Sequence, residues 1–256
     1  MKYESVYVIS NVHGCYFTLA SLLSKLPDKK ADVCFVGDII DRGKNSNLVI
    51  NILRHKKCGE KICLGNHEDM AIMSAQTLSY HDKEKVYKFT QATEENGMWL
   101  SSGGIQTLRS YDFHEHQDFQ SDNFYADIAW MKRFPLYLTY PSIRNASGRY
   151  LVVSHAAFDK TWVWSEQQRK ADSEHFKSWL IWNRITEPTN QNGIYNVFGH
   201  TPVSDPIITD HSAAIDNAVW SDQPGYGRLV ALKWPELTYY MEPRSHHDWC
   251  GDNTIL

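Results

Sequence analysis

Apolar positions in the first 65 residues fall into two alternating rhythms. Short, nearly unbroken apolar runs at 5–10, 32–40 and 60–65 each stop abruptly in polar residues. Runs of that length bounded by turn residues read as buried strands. Between them, 18–26 sets Leu19, Leu22, Leu23 and Leu26 on one helical face and is stopped by Pro27 and Asp28. Residues 45–53 read as a second helix, with Asn45 or Ser46 as its cap. Strands alternating with helices predict βαβ units and a parallel sheet. Residues 69–134 differ: they are polar, helical in tendency, and carry the charged run 83–88, which reads as a solvated helical face. This stretch is expected to be a helical insertion, with a turn at Gly103-Gly104, that either shapes a cleft or serves as packing scaffold. From Leu136 the pattern is strand-rich, at 136–140, 149–156, 195–200, 213–219, 229–234 and 237–241. The last two, parted by Pro235-Glu236, predict a hairpin.

No repeat, low-complexity tract or linker interrupts the pattern, so residues 1–256 are expected to form a single domain with two sheets. A polar C-terminal tail is expected from about 243 to 256. With 42% hydrophobic and 22% charged residues the chain is neither disordered nor fibrous. A net charge of −4 offers no global positive field, so no nucleic-acid partner is expected. An anionic substrate then needs a local electropositive site, such as a bound metal. The five cysteines (Cys15, Cys34, Cys58, Cys63, Cys250) form no CxxC pair and read as reduced, mostly buried thiols. No run approaches the ~18 apolar residues of a membrane span, and the first residues lack a long apolar stretch. The expectation is a soluble, cytoplasmic protein with no membrane partner; oligomeric state is open.

Five polar clusters share one context, a hydrophobic strand ending in a turn: SNVHG at 10–14, GDIIDRG at 37–43, GNHE at 65–68, VSHA at 153–156 and FGHTP at 198–202. Ligands in α/β sheets gather at the carboxyl ends of strands, so five such ends can converge. Imidazole, carboxylate and amide oxygen suit Mn, Fe or Zn. Asp38 is central enough in the set to bridge two ions. Two metals about 3.5–4 Å apart can clamp an in-line phosphoryl displacement.

This ordered set resembles the PPP metallophosphatases, particularly the small bacterial and phage branch that includes the phage lambda phosphatase. That family carries DxHG, GDxxDRG, GNHE and two lone histidines after strands. The SGGIQTL segment, the FPLYL run and WNR at 182–184 also fit the branch, and the similarity spans most of residues 5–220. The resemblance implies a four-layer α/β/β/α metallophosphoesterase sandwich. It implies two divalent metal ions, Mn first, with Fe, Zn or Co as alternatives. His13 and Asp38 would bind the first metal, with position 11 as a further ligand. Asp38, Asn66, His155 and His200 would bind the second. His67 would be the general acid, oriented by Asp41, and Arg42 and Arg184 would hold phosphate oxygens. Glu68 would support the ligands.

The reaction so implied is hydrolysis of a phosphate monoester by a metal-bound hydroxide, with phosphoserine or phosphothreonine in a phosphoprotein or phosphopeptide as substrate. A symmetrical diadenosine tetraphosphatase, or a related nucleotide phosphoanhydride hydrolase, is the alternative. A non-catalytic pseudo-phosphatase is the second alternative. One departure stands out: position 11 is Asn11 where the family has a metal-binding Asp. Asn keeps the shape and a carbonyl oxygen but removes a charge, so the first metal should bind more weakly. A natural divergence and an engineered isosteric change both account for it.

Other features carry less. His246, His247, Asp248 and Cys250 resemble a metal cluster by composition but read as solvated tail. His114 and His116 read as exposed loop. Trp162, Trp164, Trp179 and Trp182 read as core or cleft wall rather than as a base-stacking platform.

Overall fold

The computed structural model describes residues 3–81, 86–89, 94–112, 121–163 and 165–248. Strand β1 (Val6–Ile9) passes through helix α1 (Tyr16–Lys25) to the parallel strand β2 (Asp32–Phe35), and helix α2 (Ser46–His55) follows. Helix α3 (Asn66–Ser74) opens the insertion, which continues through β3 (Leu78–His81), β4 (Val86–Phe89), α4 (Glu94–Trp99), α5 (Ile105–Asp112) and α6 (Ser121–Met131). The second half contains β5 (Tyr137–Arg144), β6 (Tyr150–Ser154), α7 (Glu166–Ala171), α8 (Ser173–Trp182) and β7 (Ile194–Phe198). It ends with β8 (Ile207–Ile208), β9 (Ser212–Ala214), β10 (Arg228–Trp234) and β11 (Thr238–Pro243).

Among the described residues, two larger sheets form, in strand orders β11-β10-β1-β2 and β5-β6-β7-β9-β8. Side chains alternate across a strand, and both faces of the central strands are apolar, so each sheet is covered twice. Val6, Val8, Cys34, Val230, Leu232 and Trp234 of the first sheet meet Leu151, Val153, Tyr195, Val197 and Ala213 of the second. The alternate residues Tyr7, Ile9, Phe35 and Ala231 pack outward against Leu19, Leu22, Val49, Ile50 and Leu53 of α1 and α2. On the far side, Val152 and Ile194 pack against Phe176 and Leu180 of α8. The expected α/β/β/α layering is therefore present. Each fully buried Leu or Phe contributes ~1.5–3 kcal/mol over an exposed one.

Several local expectations are corrected. The third strand at 60–65 is reduced to a single bridge, Ile62 beside Phe35, because the chain must turn at once into α3. Residues 86–88 lie in strand β4 rather than on a helix; the Val-Tyr-Lys-Phe sequence of β4 is rich in strand formers, and it pairs with β3 as a hairpin inside the otherwise helical insertion. The strand expected over 213–219 stops at Ala214. The hairpin of β10 and β11 forms as expected, but it returns to the first sheet, where β10 runs antiparallel to β1.

The tail from about 243 is not wholly solvated. Asp248 is buried, and its carboxylate accepts from Phe17 N–H (3.1 Å), Thr18 N–H (2.8 Å), Thr18 Oγ1 (2.7 Å) and Asn45 Nδ2 (3.0 Å). It thereby satisfies amide donors that α1 leaves free at its start. His246 and His247 beside it are exposed. Cys15, Cys34, Cys58 and Cys63 are buried; Cys250, His114, His116 and Trp164 lie outside the described residues. No helix among the described residues is long and apolar enough to cross a membrane.

Candidate metal centre

The strand ends converge as the motif pattern predicts. Asn11 and His13 follow β1, Asp38 follows β2, Asn66 and His67 occupy the first turn of α3, His155 follows β6 and His200 follows β7. All seven are buried. His13, Asp38 and His67 offer ligand atoms within 4.8 Å of one another, and so do Asp38, His155 and His200, with Asp38 common to both groups. His13, Asp38, Asp41, Arg42 and His200 all hold positive φ, at 46°, 50°, 70°, 66° and 64°. A non-glycine residue in such a conformation costs ~1–3 kcal/mol, and such strain gathers at functional sites.

Hydrogen bonds fix the protonation pattern of the cage. His13 Nδ1 lies 3.0 Å from the Ile40 carbonyl and His155 Nδ1 lies 3.0 Å from the Val36 carbonyl. A carbonyl only accepts, so each Nδ1 carries the proton. Burial holds both imidazoles below their ordinary value, and burial beside His155 takes His200 down to about 3. The rings are neutral, and Nε2 of His13 and His155 presents a bare lone pair. These atoms stand 3.6 and 3.4 Å from Asp38 Oδ2. Asp38, ringed by His155, His67, His13 and His200, lies below the usual carboxylate range despite its burial and is ionised. Lone pairs aimed at an ionised carboxylate repel unless a cation sits among them. Asn66 Oδ1 and His200 Nδ1, 3.0 and 3.2 Å from His155 Nε2, complete that side. The donor set therefore fits divalent cations of the nitrogen- and oxygen-preferring kind.

Asn11 is turned in an unexpected way. His200 N–H can only donate, and it meets Asn11 Oδ1 at 3.3 Å. Asp38 Oδ2 can only accept, and it meets Asn11 Nδ2 at 3.0 Å. The two contacts fix the amide: its nitrogen, which has no lone pair to offer a metal, faces the Asp38 carboxylate.

Beside the cage, His67 Nδ1 bonds Asp41 Oδ2 at 2.7 Å, and its Nε2 lies 3.1 Å from Arg42 Nη2. Asp41 is itself held by Trp99 Nε1 (3.0 Å to Oδ2) and by Thr107 Oγ1 (2.6 Å to Oδ1). The insertion thus shapes the site as well as packing on it. Gly103 accepts the Arg42 N–H through its carbonyl at 3.2 Å, and its φ of 106° suits glycine. A Cβ there would lie 2.6 Å from Arg42 N, and one on Gly104 would lie 2.6 Å from the Trp99 ring. Glu68, buried, accepts from Asp38 N–H (2.8 Å), Ile39 N–H (2.8 Å) and Gly65 N–H (3.0 Å), and so holds the loop that carries the Asp38 carboxylate. Burial, then the Asp38 charge, pushes its carboxyl up to about 8.

Two indoles flank the cage. Trp220 lies edge-on to His13 at 6.5 Å between ring centroids, with the Arg42 guanidinium 4.2 Å from its own ring centroid. Trp182 lies edge-on to His200 at 6.2 Å and is 36% exposed. Arg184, just beyond it, is exposed. The preceding Asn183 fixes this turn by donating to the Ala157 carbonyl at 2.8 Å and the Trp179 carbonyl at 2.7 Å. Trp99, Thr107 and Trp220 have no spacing signal in the sequence; a tryptophan shortly before the SGG turn is the only hint, since a buried indole N–H needs an acceptor.

The pattern of the calcineurin-like phosphoesterases matches residues 5–255. The chain belongs to that family. Calcineurin-like phosphoesterases use divalent metal ions, in keeping with the two ligand groups seen here. Among curated relatives, bis(5'-nucleosyl)-tetraphosphatase PrpE [asymmetrical] of Bacillus cereus (strain AH820) is 26% identical, over 96% of this chain and 95% of its own length. The protein of the same name from Bacillus anthracis (strain CDC 684 / NRRL 3495) is also 26% identical over the same shares. Among solved structures, a protein serine/threonine phosphatase from Saccharomyces cerevisiae superposes with a TM-score of 0.56 at 15% identity, covering 96% of this chain and 82% of that one. A structure provisionally named a diadenosine tetraphosphatase gives 0.54 at 15% identity, covering 95% of each chain. These structural likenesses establish the fold. The names of these curated relatives match the alternative, a nucleotide phosphoanhydride hydrolase, with asymmetrical in place of symmetrical, and not the phosphoprotein reading that the motif resemblance puts first.

Proposed function

We propose that this calcineurin-like phosphoesterase hydrolyses a phosphoanhydride bond in bis(5'-nucleosyl) polyphosphates, asymmetrically, so that diadenosine tetraphosphate would yield ATP and AMP. The observation that carries this reading is the pair of indoles, Trp220 beside His13 and Trp182 beside His200. A phosphate chain lying across Asp38 would leave the partly exposed Trp182 near one end for a nucleoside and, once Arg42 turns off its ring to the phosphate, Trp220 near the other; base–aromatic stacking contributes ~1–3 kcal/mol per base. The name of the Bacillus relatives supports the same substrate class.

His13, Asp38, Asn66, His155 and His200 would hold the divalent ions, with Mn the first candidate. When bound, such ions supply Lewis-acid polarisation of the phosphate and activation of a water molecule. Arg42 would turn from His67 to the phosphate oxygens, joined by Arg184 from the opposite rim through charge-assisted bonds. Asp41, itself bonded to Trp99 and Thr107, keeps the His67 ring oriented and stabilises its imidazolium, so that Nε2, freed of Arg42 and protonated from solvent, would donate that proton to the leaving oxygen. The same groups would serve a phosphoserine monoester, so the test must compare substrates. With Mn²⁺ present, diadenosine tetraphosphate should give ATP and AMP in equal amounts, resolved by anion-exchange chromatography. Two ADP would refute the asymmetry. Phosphate release from a phosphoserine peptide with the dinucleotide left intact would refute the reading.

A further inference from the structure

The two halves of the cage are not equivalent. On one side Asp38, Asn66 Oδ1, His155 Nε2 and His200 Nδ1 point together, the other three lying 3.0–3.4 Å from His155 Nε2. On the other side the donors run short. His13 Nε2 and Asp38 are present, 3.6 Å apart. His67 is engaged at both nitrogens, by Asp41 at 2.7 Å and Arg42 at 3.1 Å. Asn11 presents its Nδ2 to Asp38 at 3.0 Å and spends its oxygen on His200 N–H. The amide N–H thus occupies the face of Asp38 Oδ2 from which a cation would otherwise draw charge. The Arg42 guanidinium adds a fixed positive charge beside the same half, and Asp38 is the sole charged ligand of the two groups.

We infer that the ligand-free protein retains one divalent cation, on Asp38, Asn66, His155 and His200, and that a second is recruited to the His13 half only together with the anionic oxygens of the phosphate chain. A polyphosphate supplies what that half lacks: oxygen ligands and negative charge to set against two closely spaced dications. Asn11 is then the residue that makes metal loading depend on substrate. The recruitment half of this inference rests on the phosphoanhydride reading above; the ligand-free count does not.

Mn²⁺ titration followed by electron paramagnetic resonance tests both. The wild-type protein with Mn²⁺ alone should bind one tight equivalent and show a mononuclear six-line signal, the second equivalent being at least ~10-fold weaker. Addition of methylenebisphosphonate, a non-hydrolysable mimic of the phosphoanhydride, should bring in a second equivalent and an exchange-coupled signal from a Mn²⁺ pair. Asn11→Asp should show the coupled pair without the mimic. Two tight equivalents and a coupled signal in the ligand-free wild type would overturn the inference, whatever becomes of Asn11→Asp. A wild-type count that stays at one with the mimic saturating would overturn recruitment. If diadenosine tetraphosphate proves not to be cleaved while the ligand-free count is one, the asymmetry of the cage stands and the substrate reading falls.

Discussion

Arg42 Nη2 lies 3.1 Å from His67 Nε2, and a guanidinium can only donate, so Nε2 accepts in this arrangement. The ring proton is on Nδ1, toward Asp41. His67 can serve as an acid only after Arg42 leaves that nitrogen and Nε2 takes up a proton from solvent, and a phosphate oxygen is the partner that would draw Arg42 away. Binding and proton donation are thereby tied to one side chain. His67→Asn should lower kcat by ~10²–10⁴ for aryl phosphates with poor leaving groups and much less for p-nitrophenyl phosphate. An equal loss across a leaving-group series would argue that His67 does not donate the proton.

Trp99 and Thr107 hold Asp41 from the insertion. Trp99→Phe keeps most of the packing but removes the N–H, leaving one carboxylate oxygen short of a donor. The expected effect is a loss of ~1–3 kcal/mol in urea unfolding together with a lower kcat and little change in KM. Unchanged kcat would mean that Thr107 and His67 suffice to hold Asp41.

Gly103→Ala should be more damaging than its distance from the ligands suggests. The new Cβ would stand 2.6 Å from Arg42 N in a backbone with φ of 106°. A destabilisation of ~1–3 kcal/mol is expected, with a raised KM because Arg42 is displaced. Alanine at this position with native KM would show that the turn relaxes without moving Arg42.

Proton release on metal binding distinguishes the cage's titrating groups. The three neutral histidines have no protons to give up at pH 7. Glu68, pushed up to about 8, is largely protonated there, and a nearby cation favours its ionised form. Mn²⁺ binding at pH 7 should therefore release up to about one proton, falling toward zero at pH 9 where Glu68 is already ionised. Calorimetry in buffers of different ionisation enthalpy measures this. Release that grows steadily from pH 7 toward pH 5.5 would instead point to histidines that are protonated before the metal arrives.

The Asp248 carboxylate joins the start of α1 to Asn45 through four hydrogen bonds. Asp248→Ala should cost about 2–3 kcal/mol, since several buried donors lose their acceptor at once. A change below ~0.5 kcal/mol in the urea midpoint analysis would show that water replaces it freely.

What was legible in the sequence was whatever lies within a few residues along the chain. The clusters at 10–14, 37–43 and 65–68 could be read because each ligand sits at a fixed offset from a strand end, and the layered fold could be read from the apolar runs that precede them. Contacts between distant segments could not. Asp41 meets Thr107 across 66 positions and Trp99 across 58, with no periodicity to connect them. The orientation of Asn11 was hidden for the same reason, because its two amide partners, Asp38 and His200, come from other strands. The β3–β4 pairing was hidden because a short lysine-rich run suits a strand as readily as a helix.

Strand β10 has a consequence for how the chain fails. Every proposed ligand precedes position 201, yet the residue just before Asn11 is clamped by a strand from the other end of the sequence: Ser10 N–H donates to the Val230 carbonyl at 2.9 Å and Val230 N–H to Ser10 Oγ at 3.0 Å. A transcript truncated before codon 228, or a protease cut that releases the last thirty or so residues, would leave the complete ligand inventory on a strand stripped of its edge partner. Such a fragment would carry all the motifs by which it would be recognised and none of the chemistry.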